Sequence, residues 1–314
     1  MSLFSRLSLS LPTTLAGATL LALLPVTAGP ASADPGFPSR VPLVDGSRPE
    51  GIAGGPGNRY FASSRLDGTI YTGDLRTGSR EVLVAGRQGG FAVGLQYDPA
   101  TGLVWAAGGP TGTVTAYDGR TGRQVLQVTA PARPGGRFLN DLDVTRDAVY
   151  VTDSLNAELV VVTKGTGALS MLGLTGDWVQ APSGNSANGI RELPSGDLLV
   201  VNRGGLYAVD PRTGVADLVE TTGPALTGGD GLELVGSTLY VVFGFAQPSP
   251  GRSSVAVVTL GPGAETATVV DEIPVAAARP TTMTVAAGRG WVVDGNFATA
   301  NSPDSTHDIV QIDL

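Results

Sequence analysis

The sequence predicts an all-β fold, a six-bladed β-propeller whose ring is closed by an N-terminal strand. Three observations carry that reading. A unit of a polar or small residue, often followed by Gly, then an aliphatic residue, a turn and two further β-rich runs recurs along the chain. Its copies begin at Glu50, Val93, Asn140, Asn188, Asp230 and Thr281, at steps of 43, 47, 48, 42 and 51 residues, which is the length of four short strands with their turns. Composition agrees: 45 glycines stand among 314 residues and only 15% are charged, as expected for short strands joined by tight turns. No segment holds a convincing 3.6-residue apolar period, so almost no helix is expected.

The first repeat shows the unit. Strand A runs from Glu50, strand B over Arg59 to Ser63, strand C over Thr69 to Asp74 and strand D over Glu81 to Ala85. The turn Arg76-Thr77-Gly78 joins C to D and recurs as Arg120-Thr121-Gly122, Gly165-Thr166-Gly167 and Arg212-Thr213-Gly214. Asp67-Gly68 is a hairpin signal. Gly54-Gly55-Pro56-Gly57 is a turn and not a phosphate loop, because neither helix nor Lys follows it. The last repeat has three strands of its own, Thr281 to Ala286, Gly290 to Asp294 and Asp308 to Ile312. An open blade would expose an edge, so the spare strand Val41 to Val44 is expected to complete it from outside. Pro42 is tolerable on such an edge.

Residues 1–33 read as a secretory signal, with Arg6 in the n-region, Leu11 to Val26 as the apolar stretch and Ala31-Ser32-Ala33 as the cleavage site. The mature chain, 34–314, is then expected to be secreted. After cleavage no run approaches the ~20 apolar residues of a membrane span. The chain has no cysteine, so an exported fold must rely on its core or on bound metal. A net charge of −8 disfavours nucleic acid and anionic membrane as partners and permits cation binding. A monomer acting on a small molecule is expected.

In a propeller, strand A lines the central channel, and the first residues of the six copies lie near one end of it. Four of the six, Glu50, Asn140, Asn188 and Asp230, carry carboxylate or amide oxygens. Two negative charges balance a divalent cation, and hard oxygen donors without Cys or His select Ca²⁺ or Mg²⁺, with a wide ring suiting Ca²⁺. The rival explanation is that such residues only cap turns. Asp230 is the first candidate general base and His307, the only histidine, the second. The alternative for His307 is an exposed loop residue. Phe91, Phe138, Trp178 and Phe243 are placed either on a pocket wall or in packing between blades. Asp153 and Asn202, at the ends of B strands, are assigned to turn bonding.

Pro49-Glu50-Gly51-Ile52, Asn140-Asp141-Leu142, Asn188-Gly189-Ile190 and Asp230-Gly231-Leu232, in that order, resemble the gluconolactonase, senescence-marker-protein and luciferin-regenerating family. The resemblance spans nearly all the mature chain. It implies a calcium-dependent hydrolase of lactones or related esters, with metal on Glu50, Asn188 and Asp230, metal or substrate on Asn140, and Asp230 as base. The family often places a substrate-holding Arg two residues before the first Asn. That position is Phe138 here, and Arg137 beside it is the nearest replacement. A non-catalytic propeller with a structural ion and a lyase are the alternative functions.

Overall fold

The fold was established from a computed structural model that describes residues 36–202, 205–244, 253–296 and 302–314. The expected leader, residues 1–33, lies outside them. Gly36–Leu314 forms one compact unit of six antiparallel sheets. Blade one is Ile52–Gly54, Arg59–Ser63, Ile70–Asp74 and Ser79–Val84. Blade two is Leu95–Asp98, Leu103–Ala107, Thr113–Asp118 and Gln124–Thr129. Blade three is Leu139–Val144, Ala148–Asp153, Glu158–Thr163 and Leu169–Gly173. Blade four is Ile190–Glu192, Leu198–Asn202, Gly205–Val209 and Val215–Leu218. Blade five is Leu232–Val235, Thr238–Phe243, Ser254–Leu260 and Thr266–Pro274. Blade six is Pro280–Ala286, Arg289–Asp294 and Asp308–Ile312. The only helix among the described residues is a single 3-10 turn, Pro262–Ala264.

The strand that closes the ring is Arg40–Pro42, antiparallel to Asp308–Ile312 with Val41 opposite Ile309. It sits one residue earlier than the sequence places it. Pro42, lacking an N–H, ends the ladder, and Leu43 N–H then donates to the His307 carbonyl. Two short strands went unforeseen. Thr175–Gly176 and Glu220–Thr222 each leave one blade and add, in parallel, to the outer strand of the next.

Each strand's role follows from its residues. The B strands are runs such as Leu198–Asn202, buried throughout, because both faces of a blade pack on neighbours. The D strands, such as Gln124–Thr129, are largely exposed and correspondingly polar. The buried apolar side chains fall into six clusters, one at each seam between neighbouring blades. The seam between blades six and one holds Val41, Leu43, Trp291 and Ile309 beside Ile52 and Tyr60, so the terminal strand is sealed by core packing as well as by hydrogen bonds. The repeated turn also has a local cause. Asp74 and Asp118 each accept two backbone N–H bonds from the turn they start. Gly78, Gly122 and Gly214 then take φ of 71°, 72° and 76°, where a side chain is disfavoured.

Candidate functional site

The A strands approach one another so closely at the channel that a Cβ on Gly51 would fall 2.3 Å from the Val93 carbonyl oxygen, and one on Gly189 2.6 Å from that of Asp230. Glycine at the second position of the repeat is therefore a packing requirement. The approach closes a belt of hydrogen bonds. The carbonyl of every first-position residue accepts from the preceding blade. Thr281 Oγ1 donates to Glu50, Ser63 Oγ to Val93 and Thr152 Oγ1 to Asn188. The N–H groups of Gly94, Gly189 and Gly231 donate to Asn140, Asp230 and Thr281 at 2.8–3.0 Å.

Four side chains at this level remain for chemistry. Glu50, Asn140 and Asp230 are buried and Asn188 is half-buried. Asn188 Nδ2 donates to Asp230 Oδ1 at 2.7 Å. A carboxylate only accepts, so the amide nitrogen must face it, which leaves the Asn188 oxygen as a donor atom for a cation. Asn140 Nδ2 donates to Ser154 Oγ at 3.0 Å, while Asn140 Oδ1 is buried with no hydrogen-bond partner. Such an oxygen is costly unless a water or a ligand meets it.

The electrostatics point the same way. Burial raises the Glu50 carboxyl well above its ordinary range, the Asp230 charge adds to that, and the Arg65 guanidinium opposes it. Burial lifts Asp230 to about 7, partly offset by the Asn188 hydrogen bond, with Asp141 raising it further. Asp141 is itself pushed to about 6 by burial, against the pull of Arg191. Burial and nearby negative charge thus hold both carboxyl groups above their ordinary range, so each resists ionisation unless positive charge lies beside it. Among the described residues no three His, Cys, Asp or Glu side chains group as a metal cluster, so any ion here depends on the two amide oxygens alongside Glu50 and Asp230.

One turn deeper lies a second polar layer that the sequence reading did not pick out. Arg191, buried in the channel, reaches Glu233 at 3.3 Å and Asp141 at 3.5 Å. Asp143 accepts from Gln96 Nε2 and from the Glu192 N–H, and Glu233 accepts from the Val285 N–H. Gln96, Asp143, Arg191, Glu233 and Thr284 share the fourth position of the repeat, so polar residues recurring at that phase of buried strands were a usable signal. Asp141 also stood out, occupying a position that is Gly in four other copies. The register shift between Leu139 and Leu142 makes room for it.

The remaining predicted residues sit elsewhere. Arg137 is buried between Asp153 and Glu158 at 2.7 and 2.8 Å and also donates to the Pro131 carbonyl. Its guanidinium is therefore taken up inside blade three. Asp153 supports turn backbone as expected, accepting from the N–H groups of Phe138 and Leu155. His307 is 1% exposed and is no exposed loop residue. Its Nδ1 faces the Asp294 carbonyl at 3.2 Å and its Nε2 faces Ser305 Oγ at 3.1 Å, both within blade six. Neither of these bonds leads to Asp230. Phe91 and Phe138 are half-buried and meet edge to face at 6.1 Å, with the Arg65 guanidinium over Phe91. They stand two residues before Val93 and Asn140, at the channel mouth. Trp178 instead packs on Tyr207, and Phe243 lies in the core. Parts of two loops expected around the mouth, 245–252 and 297–301, lie outside the described residues.

No family profile matches the sequence, and no curated protein is detectably similar to it. Solved structures are similar in fold. The allergen Mala s 1 of Malassezia sympodialis superposes with a TM-score of 0.67 at 16% identity, over 88% of this chain and 96% of that one. Virginiamycin B lyase from Staphylococcus aureus gives 0.54 at 12% identity, over 86% and 98%. A protein of unknown function from Bacteroides thetaiotaomicron gives 0.56 at 14% identity, over 89% and 71%. Likeness at this level of identity establishes the architecture alone, a β-propeller of six blades.

Proposed function

We propose that the protein is a metal-dependent hydrolase of lactones or related esters, with a divalent cation, Ca²⁺ by the chemistry of the donors, held by Glu50, Asn140, Asn188 and Asp230. What supports the reading is a pair of buried carboxyl groups near enough for the Asp230 charge to raise Glu50, together with the partnerless Oδ1 of Asn140 at the same phase of the repeat. A bound Ca²⁺ supplies Lewis-acid polarisation of the substrate carbonyl and offsets the charge of the carboxylates.

The chain's own groups do the rest. Asp230 engages Asn188 through one oxygen; burial lifts its pKa to about 7, and a cation beside it would lower that value and keep it ionised, the form a base requires. It accepts a proton from water as the water oxygen bonds to the ester carbonyl carbon. The same proton returns to the ester oxygen as the C–O bond breaks. Phe91 and Phe138 give the mouth an apolar wall for the body of the substrate. The Arg65 charge, felt by both Glu50 and Asp230, adds positive potential beside them.

A second reading keeps the cation and drops the chemistry: a propeller that binds a small molecule or a protein. It is favoured by the engagement of Arg137 and His307 inside their blades, which takes both side chains away from the roles of substrate holder and second base. A panel of lactones and aryl esters, assayed with and without chelator, separates the two. Virginiamycin B lyase among the structural neighbours makes elimination worth including in that panel. Chelator-sensitive turnover, abolished in a folded Asp230→Asn variant, supports the hydrolase. Absence of turnover on every substrate in both arms sinks it.

A further inference from the structure

The second strand of blade three ends in Thr152-Asp153, Ser154 follows directly, and the alternation sends Thr152 and Ser154 to the same side. Both side chains reach across the seam to blade four. Thr152 Oγ1 donates to the Asn188 carbonyl at 2.8 Å, and Ser154 Oγ donates to the Ala187 carbonyl at 2.6 Å. Ser154 is fully buried. Its backbone is tied down as well: its N–H donates to the Phe138 carbonyl, and its own carbonyl accepts from Ser186 N–H and Gln180 Nε2.

A hydroxyl has a single proton. The Ser154 proton is committed to the Ala187 carbonyl, so toward Asn140, 3.0 Å away, the oxygen can only accept. The Asn140 amide must then present its NH₂ to Ser154 and its carbonyl oxygen to the other side, where Oδ1 is found buried and without a partner. Reversed, the amide would set an oxygen lone pair against the Ser154 lone pairs and put an NH₂ beside any cation. The same serine holds the residue preceding Asn188.

We infer that Ser154 is a positioning residue: its hydroxyl fixes the flip of the Asn140 amide so that Oδ1 faces the channel, and it ties that amide to the strand carrying Asn188. The inference rests on the proposed cation site for its functional consequence but not for the amide orientation, which is fixed in the metal-free protein too. Outer-shell partners of this kind typically govern about 10–100-fold in metal affinity.

The test has two arms. In the metal-free protein, the Asn140 side-chain NH₂ resonances, assigned by their loss in Asn140→Asp, are expected to be protected from solvent exchange in wild type and to lose that protection in Ser154→Ala. In the second arm, calorimetric titration with CaCl₂ is expected to show affinity about tenfold or more weaker in Ser154→Ala, largely restored in Ser154→Thr. The Ser154→Ala loss should vanish in an Asn140→Ala background, which a general loosening of the seam would not produce. If wild type takes up no Ca²⁺, the cation reading fails while the first arm still decides the positioning role. If Ser154→Ala does not fold, the wild-type exchange measurement decides it alone. A wild-type Asn140 NH₂ that exchanges freely, or unchanged Ca²⁺ affinity in folded Ser154→Ala, overturns the inference.

Discussion

Replacing Asp230 by Asn should stabilise the protein in chelator at pH 8 and destabilise it, relative to wild type, in calcium. The magnitude follows from the raised pKa. Burial, partly offset by the Asn188 hydrogen bond, lifts the Asp230 carboxyl from 3.8 to about 7. Three units at about 1.4 kcal/mol each make about 4 kcal/mol. The folded chain holds a proton that the unfolded chain has released between those two values. Stability therefore falls as pH rises from about 4 to about 7, and the full cost is felt above 7. Asn keeps the oxygen that accepts from Asn188 Nδ2, so the variant removes the charge and retains the bond. Relief at Asp230 also eases the repulsion that helps raise Glu50. For a chain of this size roughly 2 °C of melting temperature corresponds to each kcal/mol, so the variant should melt up to about 8 °C higher in chelator at pH 8 and level with wild type at pH 4. Calcium should reverse the order, since a ligand that binds only the folded state raises the melting temperature and the variant has lost a ligand. Thermal melts by circular dichroism, two pH values by two metal conditions, suffice. A variant that melts at or below wild type in chelator at pH 8 refutes the claim that this carboxylate is held against its preference, and with it the electrostatic argument for a cation.

Other predictions use separate parts of the fold. Arg137→Ala leaves Asp153 and Glu158 buried without their shared cation. It should cost about 3–5 kcal/mol in urea denaturation, and a loss under 1 kcal/mol would show the pair to be dispensable. Leu43→Ala empties a buried position in the closing seam and should cost about 2–5 kcal/mol, whereas Val44→Ala, at a site 36% exposed, should stay within about 0.5 kcal/mol; equal losses would deny the strand its role in closure. Burial pushes the His307 pKa down, against the pull of the Asp294 carbonyl, so its contribution is complete above the unfolded value of about 6.5 and drains away as pH falls through the lowered folded value. His307→Gln should lack that acid limb, and wild-type and variant stability curves running parallel from pH 7 to 4 would count against it.

Much of the ring was legible because the repeat constrains it twice. The spacing from Glu50 to Thr281 sets the number of blades, and the three strands after Thr281 demand a fourth from elsewhere, which Arg40–Pro42 supplies. The linkers Thr175–Gly176 and Glu220–Thr222 were not legible. They pair in parallel with a strand some forty residues away, and two or three residues carry no period. At the site, the first-position side chains could be read from phase alone, but their partners could not. Ser154 and Arg65 lie off strand A: Ser154 meets Asn140 from the end of the adjacent strand of the same blade, and Arg65 acts on the Glu50–Asp230 pair from a turn. His307 misleads for the opposite reason. A histidine after a polar loop reads as solvent-facing until the terminal strand, through Leu43 N–H on its carbonyl, is seen to cover it.

The hydrogen-bonded belt explains why four of six first positions, and these four, are left to bind. Closing the ring engages all six backbone carbonyls, so no main-chain oxygen at this level need point inward. Thr281 commits its hydroxyl to Glu50, and Val93 has no polar atom to offer. Glu50, Asn140, Asn188 and Asp230 alone retain side-chain oxygens that closure does not consume. Asn140 and Asn188 direct theirs by presenting NH₂ to Ser154 and to Asp230. Ring closure and the candidate donors thus use different atoms of the first-position residues: the backbone is committed to neighbouring blades, and what remains at this level is two carboxyl groups and two oriented amides. A propeller with apolar side chains at positions 50, 140, 188 and 230 would close the same belt, because the belt uses only carbonyls, N–H groups and the hydroxyls of Ser63, Thr152 and Thr281. The acidic, amide-lined end of this channel is therefore not a by-product of closure; in the proposed reading a bound cation offsets the burial of its carboxyl groups.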